Sequence, residues 1–335
     1  MGSGTTLLRL MLDSHPHIAI PPETGFMRAY KAHRHIPFKH SGRGWARRLG
    51  WTDDELDGLL RELYDTLFMR YAEQHGKRRW GEKTPIHTWH VDAMARLFPD
   101  ARFVGIIRHP GAVVASNMRR WRHSMPKAAI HYDRYARELA RQAARRPARF
   151  VVLRYEDLVL QPEPVMRELL AWLDEPWADE VLAHDEVQAA RGGRRVVEGR
   201  TVVDDPIDVS RISAWVGRLE PVKRERLAAR VGRLAAFYGY RMEDPAVLEP
   251  LAGDGRAVAR GDEIAARMAV FADLGLRRRP VPPVYEQLPD PRGLMVVPVE
   301  RFRRLREQAR PVPPQPLWRI AASRARRRAR RLLSR

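Results

Sequence analysis

Short apolar runs alternate with longer amphipathic stretches along the first 240 residues of this chain. The runs at 18–20, 101–107 and 149–153 are mostly apolar and too short for helices, which is typical of strands buried in a parallel sheet. Between and after these runs, helical periodicity predicts helices at 5–14, 52–75, 86–97, in the basic stretch from 110 to 146, and at 162–174, 177–191, 211–219 and 221–237. The alternation predicts an α/β fold with a three-layer parallel sheet flanked by helices.

Two helix starts carry clear local signals. Thr52 with Glu55 three residues later forms a capping box, and Pro110 suits the first turn of the helix after the run at 101–107.

The basic stretch 28–50 lacks periodicity and predicts a surface loop beside a substrate groove, whereas 79–85 predicts a tight connection. Residues 192–210 predict irregular structure.

The periodicity weakens beyond residue 245. We expect a main domain at 1–245, a Pro-rich and partly helical extension at 246–316, and an Arg-rich tail at 317–335 with eight Arg and no Asp or Glu. A solvated or disordered tail is the simpler interpretation, and weak contact with an anionic membrane surface is the alternative. We expect no specific nucleic-acid partner.

Composition narrows the class of protein. The chain has 335 residues, a formal net charge of +20 and no Cys, which excludes disulfides, thiolate metal sites and cysteine nucleophiles. No apolar run reaches membrane-spanning length and no secretory signal is recognisable, so the sequence predicts a cytoplasmic location. The positive charge favours anionic partners, such as a nucleotide or an acidic substrate.

The stretch Gly2-Ser3-Gly4-Thr5-Thr6 runs directly into the first predicted helix. Small residues before a helix can present backbone N–H groups to an anion at the positive end of the helix dipole. The stretch lacks the Lys that a nucleoside-triphosphate loop places before its hydroxyl, because Gly4 precedes Thr5. A simple helix cap or a flexible end is the alternative.

Phosphate-binding loops normally follow a buried strand, and the sequence has no residues before Met1 that could form one. We therefore expect the natural reading frame to begin upstream and to supply about five apolar residues.

Three further motifs keep their order and spacing relative to this loop. They are Pro22-Glu23-Thr24, the segment 80–85, and the segment 98–110 with Ser116 beyond it. Together the four motifs resemble the sulfotransferases that use 3′-phosphoadenosine-5′-phosphosulfate, and most closely the tyrosylprotein sulfotransferases and their bacterial relatives. The resemblance covers residues 1 to 240 and implies a fold like that of P-loop nucleotide-binding proteins.

The resemblance implies that Lys83 contacts the bridging oxygen of the donor, where negative charge accumulates as the S–O bond breaks. Glu23 takes the place of the general base that accepts the proton of the acceptor hydroxyl. Without the resemblance, Lys83 would be a surface lysine, and Glu23 would cap the following segment or pair with Arg28.

The remaining implied roles concern the donor nucleotide, and no metal is implied. Arg108 and Ser116 clamp the 3′-phosphate, with a salt bridge and a helix-surface serine as the alternative. The family normally has Arg or Lys where this chain has Gly2, which removes one cation from the leaving phosphate. The other implied donor contacts are Ser3, Gly4, Thr5 and Thr6 around the 5′-phosphosulfate, Tyr155 beside the adenine, and Thr201 or Ser210 with Arg211 near the phosphates.

Histidine pairs at short spacing could suggest a metal site. No carboxylate or cysteine stands at a matching position in the sequence, so we predict none. The histidines are the pair His15 and His17, the group of three His33, His35 and His40, and the pair His87 and His90.

These observations favour transfer of a sulfuryl group from 3′-phosphoadenosine-5′-phosphosulfate to an acceptor hydroxyl. A small-molecule kinase of the same loop and sheet class is the alternative among enzymes, and a non-catalytic nucleotide- or nucleic-acid-binding module is the alternative from another class. Basic residues at 28–48 suggest an acidic acceptor.

Overall fold

A computed structural model describes residues 2–34, 50–191, 196–197, 201–202, 206–245 and 247–282, with the side chains of 196–197 and 201–202 excepted. Its α-helices are α1 (Thr5–Ser14), α2 (Phe26–Arg34), α3 (Asp53–Gln74), α4 (Val91–Leu97), α5 (Pro110–Trp121), α6 (Met125–Ala144), α7 (Tyr155–Leu160), α8 (Pro162–Trp172), α9 (His184–Ala190), α10 (Pro221–Phe237) and α11 (Gly261–Val270). Its strands are β1 (Ile18–Ala19), β2 (Arg79–Trp80), β3 (Phe103–Ile107), β4 (Phe150–Arg154), β5 (Val196–Val197), β6 (Thr201–Val202) and β7 (Val258–Arg260).

The described strands form small sheets. β1 pairs in parallel with β2, and β3 pairs in parallel with β4, with Phe103 opposite Phe150. β7 runs antiparallel along the other edge of β4, and β5 forms an antiparallel hairpin with β6. The α/β class is therefore confirmed. The two pairs β1–β2 and β3–β4 are parallel as expected, whereas β7 adds an antiparallel strand that the sequence did not predict.

Successive residues of β4 point to opposite faces of their sheet, as strand geometry requires. Phe150 and Val152 pack in a cluster with α5, α6 and α10. Val151 and Leu153 pack in a second cluster with α1, α7 and α8. The strands are therefore covered by helices on both faces, which explains why their sequences contain few polar residues.

Several predicted elements are present with shifted bounds. α1, β3 and β4 occupy the predicted segments, and α3 begins at the predicted capping box, whose two reciprocal hydrogen bonds are both formed by Thr52 and Glu55. Pro110 occupies the first turn of α5. The helix predicted at 86–97 begins with a 3-10 turn, Pro85–His90, before α4.

Four predictions need correction. Part of the expected surface loop is helix α2, whose Phe26, Met27 and Tyr30 are buried against α3; residues 35–49 lie outside the described part. The expected tight connection begins with strand β2. The expected irregular segment contains the β5–β6 hairpin, and short 3-10 turns replace the helix expected at 211–219.

The segment after residue 245 contributes to the same sheet and core. β7 pairs with β4, and Ile264 and Met268 of α11 are buried in the cluster that contains Phe150. The boundary expected at 245 is therefore not a structural one within the described residues. The Pro-rich linkers beyond 282 and the Arg-rich tail lie outside the described part. No helix within it has both the length and the apolar composition that crossing a membrane requires.

Candidate active site

Glu23 and Lys83 meet beyond the carboxyl ends of β1 and β2. Lys83 Nζ donates to Glu23 Oε1 across 60 residues of sequence. The Lys83 side chain keeps 14% of its surface exposed and the Glu23 side chain keeps 28%, so a ligand can reach both from solvent. The parallel pairing of β1 with β2 brings the two predicted catalytic residues together, because the carboxyl ends of both strands lie at the same end of the sheet and both loops begin there.

Glu82, the residue before Lys83, contacts both the loop of Glu23 and the loop of Lys83. Its Oε1 accepts hydrogen bonds from Thr24 Oγ1 at 2.9 Å and Thr84 Oγ1 at 2.6 Å, and its Oε2 lies 2.6 Å from His87 Nδ1. Burial alone would raise the pKa of the Glu82 carboxyl, but the close contact with His87 and the hydrogen bonds from Thr84 and Thr24 outweigh it and keep that pKa below its ordinary value. Glu82 is therefore a buried carboxylate that connects the Glu23 loop to the Lys83 loop.

The loop ahead of α1 requires glycine at two positions. Gly2 and Gly4 have φ angles of 81° and 89°, which other residues rarely adopt. A Cβ on Gly4 would lie 2.2 Å from Cδ2 of Tyr155. No described side chain caps α1, so its first N–H groups stay available to an anion.

Arg108 lies at the carboxyl end of β3, next to this loop. Its Nη1 donates to the Gly2 carbonyl at 3.3 Å, its Nη2 to the Arg211 carbonyl at 2.6 Å, and its guanidinium lies 4.0 Å from the centre of the Tyr155 ring. The buried Nε has no partner among the described residues. The two carbonyls and the ring thus orient the guanidinium, and its Nε–H remains a donor without a partner among the described residues.

A buried network supports the segment that carries Arg108. The His109 N–H donates to Glu156 Oε1 at 3.0 Å, and Tyr240 donates to Glu156 Oε2 at 2.8 Å. His109 Nδ1 accepts from the Gly111 N–H and caps α5, so its Nε2 carries the proton that is donated to the Arg241 carbonyl. Burial lowers the pKa of His109 to about 4. The ring is therefore neutral near pH 7 and acts as a fixed support.

Two residues of α5 complete this side of the loop. Ser116 Cβ and Oγ lie 3.4 Å from the position that a Cβ on Gly2 would take, and Asn117 Oδ1 lies 3.6 Å from it. Asn117 Oδ1 is buried without a partner among the described residues. The structure thus brings the predicted residues Ser116 and Arg108 next to Gly2.

Other predicted donor contacts differ in their placement. Tyr155 is buried between Gly4 and Arg108, so its ring supports the loop. Thr201 lies in β6, whose side chains are outside the described part. Ser210 donates to Asp208, and Arg211 pairs with the same carboxylate while its carbonyl holds Arg108.

A cavity of about 460 Å³ opens beside this site. Its lining includes Ser3, Thr5, Glu82 and Lys83, together with many apolar side chains and several charged ones, such as those of Arg9, Arg79 and Arg102. The predicted loop and the predicted catalytic lysine therefore face a common space.

Comparison with known proteins identifies the family of this chain. Residues 2–179 match the profile described as "Sulfotransferase family". The chain belongs to the sulfotransferase family. This sulfotransferase is 30% identical over 254 residues to "Protein-tyrosine sulfotransferase 1" of Danio rerio, covering 71% of this chain and 69% of the relative. Its identity to "Protein-tyrosine sulfotransferase 1" of Homo sapiens is 29% over 259 residues, covering 71% and 67%. Among solved structures, the sulfotransferase domain of the Synechococcus olefin synthase has 22% identity and a TM-score of 0.49, covering 69% of this chain and 90% of that domain.

The sequence did not reveal the supporting residues of this sulfotransferase. Glu82, His109 and Glu156 stand beside motif residues, but their buried partners come from distant segments. A charged residue soon after an apolar strand was the available signal for Glu156.

The structure also brings His15, His17 and Glu175 within 4.8 Å of one another, counted between their ligand atoms. Glu175 supplies a carboxylate that the sequence had not placed beside the histidines. Arg79 and Arg78 donate to the same carboxylate, at 3.0 Å and 3.4 Å. Because two cations already balance Glu175, this cluster is built as an ion-pair network.

Proposed function

We propose that this sulfotransferase transfers a sulfuryl group from 3′-phosphoadenosine-5′-phosphosulfate to the hydroxyl of an acceptor, by in-line displacement. The observation that carries the proposal is that Lys83, which contacts Glu23, lines the same cavity as Ser3 and Thr5 of the loop ahead of α1. A base, a cation and an anion-binding helix end are the groups that such a transfer needs.

The residues fit the donor's two anionic ends. The uncapped N–H groups of α1, with the hydroxyls of Ser3, Thr5 and Thr6, suit the 5′-phosphosulfate. Arg108, with its unpartnered Nε, and Ser116 suit the 3′-phosphate. We assign Tyr155 to the adenine side and Thr201 to the phosphates on the family resemblance alone.

Glu23 accepts the proton of the acceptor hydroxyl as the acceptor oxygen bonds to sulfur. Lys83 donates to the oxygen that carries the electron pair of the breaking S–O bond. Because Lys83 and Glu23 contact each other in the structure, they must separate by the width of the reacting groups before transfer. Their ion pair holds both charges in place until the substrates enter.

Peptide tyrosine is the first acceptor to test, because the relatives are named protein-tyrosine sulfotransferases. The basic residues of α2, the helix that follows Glu23 in the chain, favour an acidic peptide. Lys31 and Arg28 lie close enough to His90 to contribute to its lowered pKa, which burial brings to about 3.

The decisive measurement is calorimetric titration with 3′,5′-bisphosphoadenosine, and with ATP and Mg²⁺ in parallel. We expect tight binding of the bisphosphate without Mg²⁺, and transfer of labelled sulfate to a tyrosine peptide rich in Asp and Glu. Tight ATP binding with no affinity for the bisphosphate would favour a kinase. Binding of the bisphosphate without transfer to any acceptor would favour a non-catalytic module.

A further inference from the structure

We propose that Arg9 and Asp13 of α1 are positioning residues for the reaction, which hold the end of β1 so that Glu23 lies at a fixed distance from a donor bound at the start of α1. The inference rests on the proposed function, because it concerns the place of the base relative to the donor. It assigns a role to two buried charged residues that the proposed function leaves unused.

The two residues lie on one face of the helix that begins at the proposed donor site. Thr5, Arg9 and Asp13 follow one another at spacings of four residues, which places them along the same side of α1. With a rise of about 1.5 Å per residue, Arg9 lies about 6 Å and Asp13 about 12 Å from Thr5 along the helix axis. One helix therefore connects the anion-binding loop to both charged residues.

Both residues bind the backbone of Ile20, which directly follows β1. Arg9 Nη1 donates to the Ile20 carbonyl at 3.0 Å, and the Ile20 N–H donates to Asp13 Oδ1 at 2.8 Å. All three residues are buried, so water competes little for these hydrogen bonds. Two side chains on one helix face thus fix both polar backbone groups of Ile20.

The connection from Ile20 to Glu23 is short and stiff. Pro21 and Pro22 are the two residues between them, and a proline ring fixes φ at about −65°. A residue that precedes a proline is restricted as well, which applies to Ile20 and to Pro21. A displacement of Ile20 therefore displaces Glu23, because the connection has few free torsions to absorb it.

The other side of the same strand is held by β2, which leads to Lys83. The Gly81 N–H donates to the Ala19 carbonyl at 2.8 Å, and Gly81 stands two residues ahead of Lys83. Ala19 and Ile20 therefore connect the lysine loop on one side with α1 on the other. The start of α1, the base and the cation become parts of one hydrogen-bonded frame.

Other side chains orient the Asp13 carboxylate. Gln188 Nε2 and Arg191 Nη1 donate to its Oδ2 at 3.2 Å and 3.3 Å, and Lys77 Nζ lies 3.8 Å from its Oδ1. Burial lowers the pKa of Lys77 to about 8, so its ammonium is still charged near pH 7. The oxygen that accepts from Ile20 is therefore held in one orientation.

Packing alone does not require these charges. Burying an arginine and an aspartate costs free energy that apolar side chains at the same helix positions would avoid. The polar pair instead supplies directional bonds to one backbone unit, which apolar contacts do not. Direction matters at this point of the chain, because misplacing a reacting group by about 1 Å can lower a rate about 100-fold.

The test compares variants of the full chain that change one contact at a time. Arg9→Met removes the donor to the Ile20 carbonyl, and Arg9→Lys keeps a donor at this position. Arg191→Met is the matched control, because the hydrogen bonds of Arg191 in the described part of the chain go to Asp13. It therefore removes an arginine from the same carboxylate without removing a contact to Ile20.

Asp13 is tested in the background of Lys77→Met, since Asp13→Ala alone would leave a buried ammonium without its carboxylate. In this background Asp13→Ala removes the acceptor of the Ile20 N–H, whereas Asp13→Asn keeps an oxygen for it. Lys77→Met alone is the reference. Urea unfolding shows which variants are folded under the conditions of the rate measurements.

We expect Arg9→Met to lower kcat for sulfuryl transfer at least about tenfold and to leave the dissociation constant of 3′,5′-bisphosphoadenosine within about threefold. Arg9→Lys should recover most of kcat, and Arg191→Met should keep it whatever stability it loses. In the Lys77→Met background, Asp13→Ala should lower kcat at least about tenfold and Asp13→Asn should not.

Turnover in Arg9→Met equal to that in Arg191→Met would overturn the positioning role and leave the proposed function standing. Parallel losses of turnover and nucleotide affinity in Arg9→Met would have the same meaning. If Arg9→Met does not fold, the Asp13 series decides, and equal kcat in its Ala and Asn variants would overturn the role. If the unmodified chain neither binds the bisphosphate nor transfers sulfate, the proposed function fails and this inference fails with it.

Discussion

Lys83 donates to Glu23 although 60 residues separate them, and both lie beyond the carboxyl ends of the parallel strands β1 and β2. The pair places a base and a cation beside the loop that precedes α1. We expect Glu23→Gln and Lys83→Ala each to lower kcat by about 10² to 10⁴. Glu23→Gln should leave the dissociation constant of 3′,5′-bisphosphoadenosine within about threefold, since the carboxylate does not hold the nucleotide.

Matched controls are available on the surface. Glu73→Gln and Lys223→Ala remove the same groups from exposed pairs with Arg70 and Glu220. Both should retain full turnover. Unchanged kcat in Glu23→Gln would remove this residue as the base.

Glu82 is expected to act as a positioning residue. Glu82→Gln keeps the shape of the side chain but removes the negative charge that contacts Thr24, Thr84 and His87. The loops of Glu23 and Lys83 should therefore become less ordered. We predict that kcat falls at least about tenfold while nucleotide affinity stays unchanged. Single-turnover rates and nucleotide titration measure the two separately. An equal loss of affinity and turnover would contradict the positioning role.

Arg108→Ala should weaken binding of 3′,5′-bisphosphoadenosine by about 2 kcal/mol, or about 30-fold, because a forked donor to phosphate is lost. Arg108→Lys should recover part of this, since a charge remains without the fork. Arg233→Ala removes an arginine from an exposed pair with Asp273 and serves as the control. Titration calorimetry gives each value. An Arg108→Ala affinity equal to the control would refute the clamp.

A glycine series separates backbone conformation from steric contact. Gly4→Ala should destabilise the fold by about 3 kcal/mol or more, because both the positive φ and Tyr155 oppose a Cβ. Gly76→Ala, at φ 68° with nothing nearby, should cost about 1 kcal/mol. Gly253→Ala, in open space without positive φ, should change stability by less than about 0.5 kcal/mol. Urea unfolding measures all three. Equal losses at Gly4 and Gly76 would show that Tyr155 does not restrict the loop.

Buried histidines should make stability depend on pH. Burial lowers the pKa of His109 and of His131 from 6.5 to about 4. The unfolded chain therefore binds more protons below pH 6.5, and stability falls as the pH drops from 6.5 towards 4. At pH 5 each histidine should cost about 2 kcal/mol.

Urea unfolding at pH 7, 6 and 5 tests this dependence. The variant His109→Asn keeps a helix-capping oxygen but cannot titrate, so its stability should decline less steeply. Equal free energies of unfolding at pH 5 and pH 7 in the unmodified chain are incompatible with neutral buried rings.

Most strands and helices up to residue 173 could be predicted because each carries its own local signal, and α2, β2 and α7 are the exceptions. The capping box of Thr52 and Glu55 and the apolar run of β3 are examples. Helix α2 was missed because its apolar positions, Phe26, Met27 and Tyr30, stand among many basic residues. Strand β7 was missed because three residues without periodicity become a strand only when β4 offers them an edge.

By itself, the sequence determined the chemical types at the site: small residues before α1, a lysine and a glutamate after short strands, and an arginine at the end of β3. These follow from residue identity and local propensity. Only the tertiary structure decided that Lys83 contacts Glu23, that Glu82 connects their loops, and that Arg108 stacks on Tyr155 beside Gly2. Such contacts depend on which strands pair and in which register, and those choices depend on the packing of the whole core.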